Sequence, residues 1–218
     1  LPDLTSIAIV VGFTLLATVL QAGLRNSRVC LAQCAALLKK PFDPVQTRAE
    51  LARQMGDLRK DGIVRAVPAA SSDPEFDRST NAMIRARSLE ALMVEHDACR
   101  SRRFSQSATA RQVCNQAAEL AQMMGLAGTL ISLATLSPSI AGGTSLTGAI
   151  GMAVGTTLTG VALANFVFIP LAGLIDRRAR NEDDAREEVF EWLEMHAHIA
   201  MPRLREAEPL TVLHKGAA

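Results

Sequence analysis

The sequence predicts an all-α polytopic membrane protein with three transmembrane helices and a helical cytoplasmic domain, and three observations predict it. First, Leu120 to Ile175 is a run of 56 residues without one Asp, Glu, Lys or Arg, in a 218-residue chain that is heavily charged elsewhere. A hydrocarbon core about 30 Å thick takes roughly 20 apolar residues per helical crossing, so this block supplies two crossings and a connection. Second, Leu4 to Ala22 is another apolar stretch. Third, the charged remainder carries apolar residues at helical spacing, with Pro and Gly between segments.

The first stretch, centred on TSIAIVVGFTLLATVLQA, has Asp3 before it and Arg25 and Arg28 after it. A secretory signal has the reverse arrangement, a basic region first and a small-residue cleavage site last. Residues 1–23 are therefore read as a retained transmembrane helix. The chain opens on Leu, so trimming of its N-terminus is one expectation. VCLAQCAALLKK continues as helix and stops before Pro41 and Pro44, each of which biases the preceding residue to extended backbone.

Residues 24–112 form the expected cytoplasmic helical domain. Thr47 to Lys60 alternates charges around Leu51, Met55 and Leu58, an amphipathic helix stopped at Asp61-Gly62. AVPAASSDPEF is a loop by its Pro and Ser content, with Asp73 as cap and Pro74 in the first turn of the next helix. Phe76, Met83, Ile84, Leu89, Leu92 and Met93 then approximate an apolar stripe, which reads as a packing seam. Arg100, Arg102 and Arg103 read as a cytoplasmic-side anchor, the alternative being contact with a partner or with anionic lipid.

The second crossing is placed at 113–137, an external turn at 138–145 and the third crossing at 146–175. In the third, Gly148, Gly151 and Gly155 recur with Thr159 and Ala162 at three- and four-residue spacing, a side that lets another helix approach closely. Its length of about 45 Å outruns the bilayer. Residues 176–218 continue as a charged amphipathic helix and a tail broken by Pro202 and Pro209.

Orientation follows from the basic residues. Sixteen of the 23 Lys and Arg lie between Arg25 and Arg111, seven follow Ile175, and the turn has none. The positive-inside rule puts the N-terminus outside and the C-terminal tail in the cytoplasm. A net charge of +1 gives no footprint for nucleic acid. GGTSLTGAIG lacks the Lys of a phosphate loop, and no nucleophile, base and orienting group assemble, so an enzyme is not expected. Cys30 and Cys34 share a helix face without a second pair for zinc, and His196 and His198 point apart, so no metal or cofactor is expected.

The groups that bear on chemistry are hydroxyls. Thr129 in the second crossing and Thr156 and Thr157 in the third are candidates to face one another, where hydroxyl oxygens replace water around a cation or orient water for proton transfer. The alternative is a hydroxyl bonded to its own helix backbone.

Around these threonines, AELAQMMGLAGTLISLATL contains a G-x-x-G-T-L element, and GAIGMAVGTTLTGVALANFVFIPLAGLI contains A-x-x-T-T-x-x-G followed by N-x-V-F-x-P. In both elements the chain resembles the MotA/TolQ/ExbB proton channel family. DLTSIAIVVG and LARQMGDLRKDGI resemble a transmembrane start and the first cytoplasmic segment of the flagellar stator branch, so the resemblance extends to about Ala200. It implies an inner-membrane homopentamer around two copies of a single-span MotB/ExbD/TolR-like partner whose membrane Asp carries the transported H+ or Na+. Thr129, Thr156 and Thr157 would line that acid, Glu119 would hold the acidic position at the cytoplasmic end, and Pro170 would join Gln122 in coupling. Arg59 and Lys60 would face a rotor protein. The chain departs from the pattern at Gln122, where flagellar members have proline, and at Val67, where they have a rotor-facing acid. It also has no counterpart of their first helix, through either an incomplete N-terminus or a three-crossing stator. Energising outer-membrane transport or integrity, and a non-conducting membrane scaffold, are the alternative outputs.

Overall fold

The computed structural model describes residues 4–61, 71–134 and 143–200, all of its regular structure helical. Residues 138–142 of the expected turn, Val67, the Lys60 side chain and the tail beyond residue 200 lie outside them. The helices are α1 (Leu4–Leu37), α2 (Pro44–Asp61), α3 (Pro74–Ala86), α4 (Leu89–Ala134), α5 (Gly143–Leu163) and α6 (Ile169–Ala200), with a π-helical turn at Ala164–Phe168 between the last two. The chain divides into two compact units, Leu1–Pro41 with Arg100–Asp183, and Phe42–Cys99 with Asp184–Ala218.

The second unit is built on an apolar core. Leu51, Met55 and Leu58 of α2 meet Phe76 and Met83 of α3, Leu92 at the start of α4, and Val189, Phe190 and Leu193 of α6. The α3 helix begins as its sequence dictates: Asp73 Oδ1 accepts from the Glu75 N–H at 2.8 Å, with Pro74 in the first turn. It ends at Arg87, whose φ of 52° is left-handed. Arg186 lies against this cap, with Nη2 2.8 Å from Asp73 and Nη1 3.3 Å from Glu75, its guanidinium over the Phe42 ring. The pair is buried, so the fork of donors and the ring face supply the solvation that water no longer does.

The first unit is organised differently. α1 breaks at Gly23, whose φ of 80° and ψ of 154° suit a residue without Cβ, and α1 packs along α5. Leu89–Ala134 and Thr147–Ile199 are long and apolar enough to cross a membrane. Their most apolar windows are only 28% and 22% buried, which separates them from core helices of a water-soluble fold. Exposed Leu126, Leu130 and Ile131 on α4 and Val154, Leu158 and Val161 on α5 form the apolar exterior that hydrocarbon or another apolar surface would cover.

The π turn has a local cause. Pro170 has no N–H to offer the carbonyl four residues earlier, and its ring crowds that carbonyl. Widening the preceding turn relieves the crowding, and the Ile169 N–H reaches back five residues to the Ala164 carbonyl.

Candidate functional site

The site begins with the close approach of α4 and α5. A methyl group added at Gly125 would stand 3.1 Å from the Thr156 carbonyl oxygen and 3.2 Å from the Gly160 Cα. One at Gly128 would stand 2.9 Å from the Thr156 Cβ. One at Gly160 would collide with the Ala121 carbonyl oxygen and lie 2.9 Å from the Gly125 Cα. The glycines of the G-x-x-G-T-L element and the last glycine of A-x-x-T-T-x-x-G thus allow two backbones to touch. Thr156 is buried in that crossing, its hydroxyl donating to the Ala153 carbonyl at 2.9 Å.

Beside the crossing is an open groove of about 410 Å³ lined by Thr129, Ala153, Val154, Thr157, Leu158 and Val161. Its two hydroxyls come from different helices. Thr129 donates to the Leu126 carbonyl at 2.6 Å, and Thr157 to the Ala153 carbonyl at 3.1 Å. With each proton committed to its own helix, the Oγ lone pairs remain as acceptors. They suit a partially dehydrated cation, a protonated carboxyl group or a hydrogen-bonded water, and the groove has no charged side chain in its lining. Of the three threonines that the sequence singles out, the structure brings Thr129 and Thr157 together in this groove and packs Thr156 against Gly128.

Glu119, Gln122 and Thr129 fall within one side of α4 by their spacing, and Glu119 and Gln122 are exposed. Pro170 is exposed two residues past the π turn. Arg59 is exposed near the end of α2. Gly148 and Gly151 would meet nothing within 4 Å if given a methyl group, so within this chain the close helix contact is at Gly125, Gly128 and Gly160 instead. Gly155 is half-buried.

Two further clusters join residues far apart in the chain. Arg100 and Arg103, which the sequence suggests as an anchor or a contact for a partner or lipid, are both engaged within the chain by Asp183, at 3.0 and 2.8 Å. Asp176 likewise receives Arg180 at 2.7 Å and Arg111 at 3.5 Å. Spacing along the chain carries no signal for the pairs that join α4 to α6. The second cluster is of sulfur: Cys114 of α4 joins Cys30 and Cys34 of α1, and all three Sγ atoms lie within 4.8 Å of one another. Burial pushes the Cys34 thiol up to about 11, and a hydrogen bond with Cys114 together with burial pushes Cys30 up as well.

Solved structures share this architecture. The flagellar MotAB stator complex of Bacillus subtilis matches with a TM-score of 0.77 at 18% identity, over 97% of this chain and 84% of that one. The MotAB structure of C. jejuni also gives 0.77, at 14% identity, over 90% and 78%. Motility protein A of Cereibacter sphaeroides is 25% identical over 221 aligned residues, covering 98% of this chain and 85% of the relative. The family match takes in residues 73–188, more than half of the chain, including the arginine cluster, the glycine crossing and both groove threonines. Its class is a membrane transport and motor component, not an enzyme. The chain belongs to the MotA/TolQ/ExbB proton channel family.

Proposed function

We propose that this chain is the channel-forming subunit of an ion-driven stator that, with a single-span partner, converts an ion motive force into rotation of the flagellar type. The observation that carries the proposal is the groove in which Thr129 and Thr157 offer acceptor oxygens from two helices without an acid of the chain's own in its lining. A groove built of acceptors needs a carboxyl group from elsewhere to carry the ion, and the membrane Asp of a MotB-like partner meets that need. Likeness to two structures described as MotAB complexes supports such a partner.

In this reading α1 is a third crossing over residues 1–23, supported by exposed Phe13, Leu15, Leu16 and Leu20, with Gly23 at its cytoplasmic end. Residues 24–112 and 176–218 are cytoplasmic, 113–137 and 146–175 cross the bacterial inner membrane, and the N-terminus and 138–145 are outside. Gly148, Gly151 and Gly155 serve contacts with neighbouring copies in a homopentamer around a partner dimer. Glu119, Gln122 and Pro170 couple ion passage to movement, and Arg59 and Lys60 face the rotor.

Native mass spectrometry of the chain co-expressed with its single-span partner tests the assembly. Five copies with two partners are expected, and a monomer or a partner-free assembly would overturn it. Restoration of motility in a strain lacking its stator tests the output. Failure there, with outer-membrane transport restored instead, would assign the chain to the transport-energising branch.

A further inference from the structure

We propose that Cys30, Cys34 and Cys114 form a three-thiolate site for a soft monovalent metal ion of the Cu(I) type. The three Sγ atoms lie within 4.8 Å of one another, and Cys30 and Cys114 approach to 3.6 Å. With metal–sulfur bonds of about 2.3 Å, three sulfurs around one ion stand roughly 3.7–4.0 Å apart, so the cluster is within small side-chain rotations of a coordination shell. The ligands come from two helices of one compact unit. Cys30 and Cys34 are one helical turn apart on α1, and Cys114 is buried on α4. A metal there would tie the segment of α1 that follows the Gly23 break to α4.

The surroundings choose the class of ion. The cysteines pack with Ala110, Ala172, Ile175, Leu37 and Leu171, whose apolar side chains supply no ligand atom. Among the described residues the group that can hold a metal contains these three thiols alone. Structural zinc sites take four ligands in a tetrahedron, whereas thiolates in a lower coordination number suit Cu(I). Hard cations such as Mg²⁺ and Ca²⁺ require oxygen ligands, and the cluster supplies only sulfur. Each bound sulfur gives up its proton on metallation, so retention of the ion rises with pH.

The test uses the full chain purified anaerobically in detergent, loaded with Cu(I) and challenged with a chromogenic Cu(I) chelator. Wild type and Cys99→Ser, whose sulfur is in the other unit, are expected to retain about one copper per chain with a sulfur-to-copper charge-transfer band. Cys30→Ser, Cys34→Ser and Cys114→Ser are each expected to lose affinity by more than the roughly 10–100-fold that loss of an outer-shell partner costs. Circular dichroism verifies the helices of each variant. Should Cys114→Ser fail to fold, the half-buried Cys34 carries the test. Equal retention by wild type and Cys34→Ser would overturn the site, and displacement of copper by an equal concentration of Zn(II) would overturn its assignment to a soft monovalent ion.

Discussion

Replacing Gly160 by alanine places a methyl group against backbone on two sides, the Ala121 carbonyl oxygen and the Gly125 Cα, the latter at 2.9 Å. Non-bonded carbons prefer about 3.5–4.0 Å, so α4 and α5 must separate locally by roughly 0.6–1 Å, and a gap of that size forfeits a quarter to a half of each dispersion contact it opens. Neither neighbour is the end of a flexible side chain, so no rotamer change relieves the collision. Overpacking of this kind costs about 1–3 kcal/mol, and the better helix propensity of alanine returns up to about 1 kcal/mol. The expected result is a net loss of about 1–2 kcal/mol, read as a fall of several degrees in the thermal unfolding midpoint of the purified chain in detergent. Gly56→Ala in α2 meets nothing within 4 Å and supplies the control, with a midpoint equal to or above wild type. A Gly160→Ala midpoint at or above that of wild type would refute the backbone contact and the crossing built on it.

The groove separates the threonines. Thr157→Val is expected to lower ion-dependent output about tenfold, the equivalent of one lost acceptor, with Thr157→Ser restoring it, while Thr156→Val, isosteric within the crossing, leaves output near wild type; equal losses at the two positions would contradict this placement. Arg186→Ala leaves the buried Asp73 carboxylate and Glu75 without their forked partner and is expected to cost about 3–5 kcal/mol, seen as lost hydrogen-exchange protection in α3, with Arg186→Lys recovering part of it. Glu50 accepts the Ser72 backbone N–H at 2.7 Å, and that bond, followed by the Gln46 amide, holds its carboxyl below the usual carboxylate range. Because its pKa is lowered in the folded state, its tether of Ser72 is complete above the ordinary glutamate range and is lost as pH falls through the lowered value. The protection factor of the Ser72 amide, its exchange referred to the intrinsic rate at each pH, should therefore fall at acid pH, and Glu50→Gln should flatten that dependence.

Membrane and glycine constraints are written locally, which makes much of the fold legible in the sequence. The charge-free run from Leu120 to Ile175 announces two apolar helices without reference to any partner. The cap at Asp73 and Pro74 fixes the start of α3 from neighbouring residues alone. The stripe of Phe76, Met83, Leu92 and their neighbours is a packing seam, and the core of the second unit contains its buried members. Pairings between distant segments are not legible. Periodicity puts Gly148, Gly151 and Gly155 on one side of a helix, but it carries no information on which side meets α4. The same gap hides Asp183 between Arg100 and Arg103, and Cys114 beside Cys30, because residues some 80 positions apart share no local signal.

The widened turn at Ala164–Phe168 also sets the rotational phase of α6. Each helical residue advances the side-chain direction by about 100°, and a π turn absorbs one residue beyond the ordinary helical count. Ala164, Ala172 and Ile175 are all buried, and the step from the first to the second is eight residues rather than the roughly seven of two regular turns. The segment around Asn165 and Phe166 therefore acts as an indexing joint. Its side chains are replaceable where they are exposed, but its residue count is not, because deleting one position would swing Ala172 and Ile175 out of their packing by more than a quarter turn.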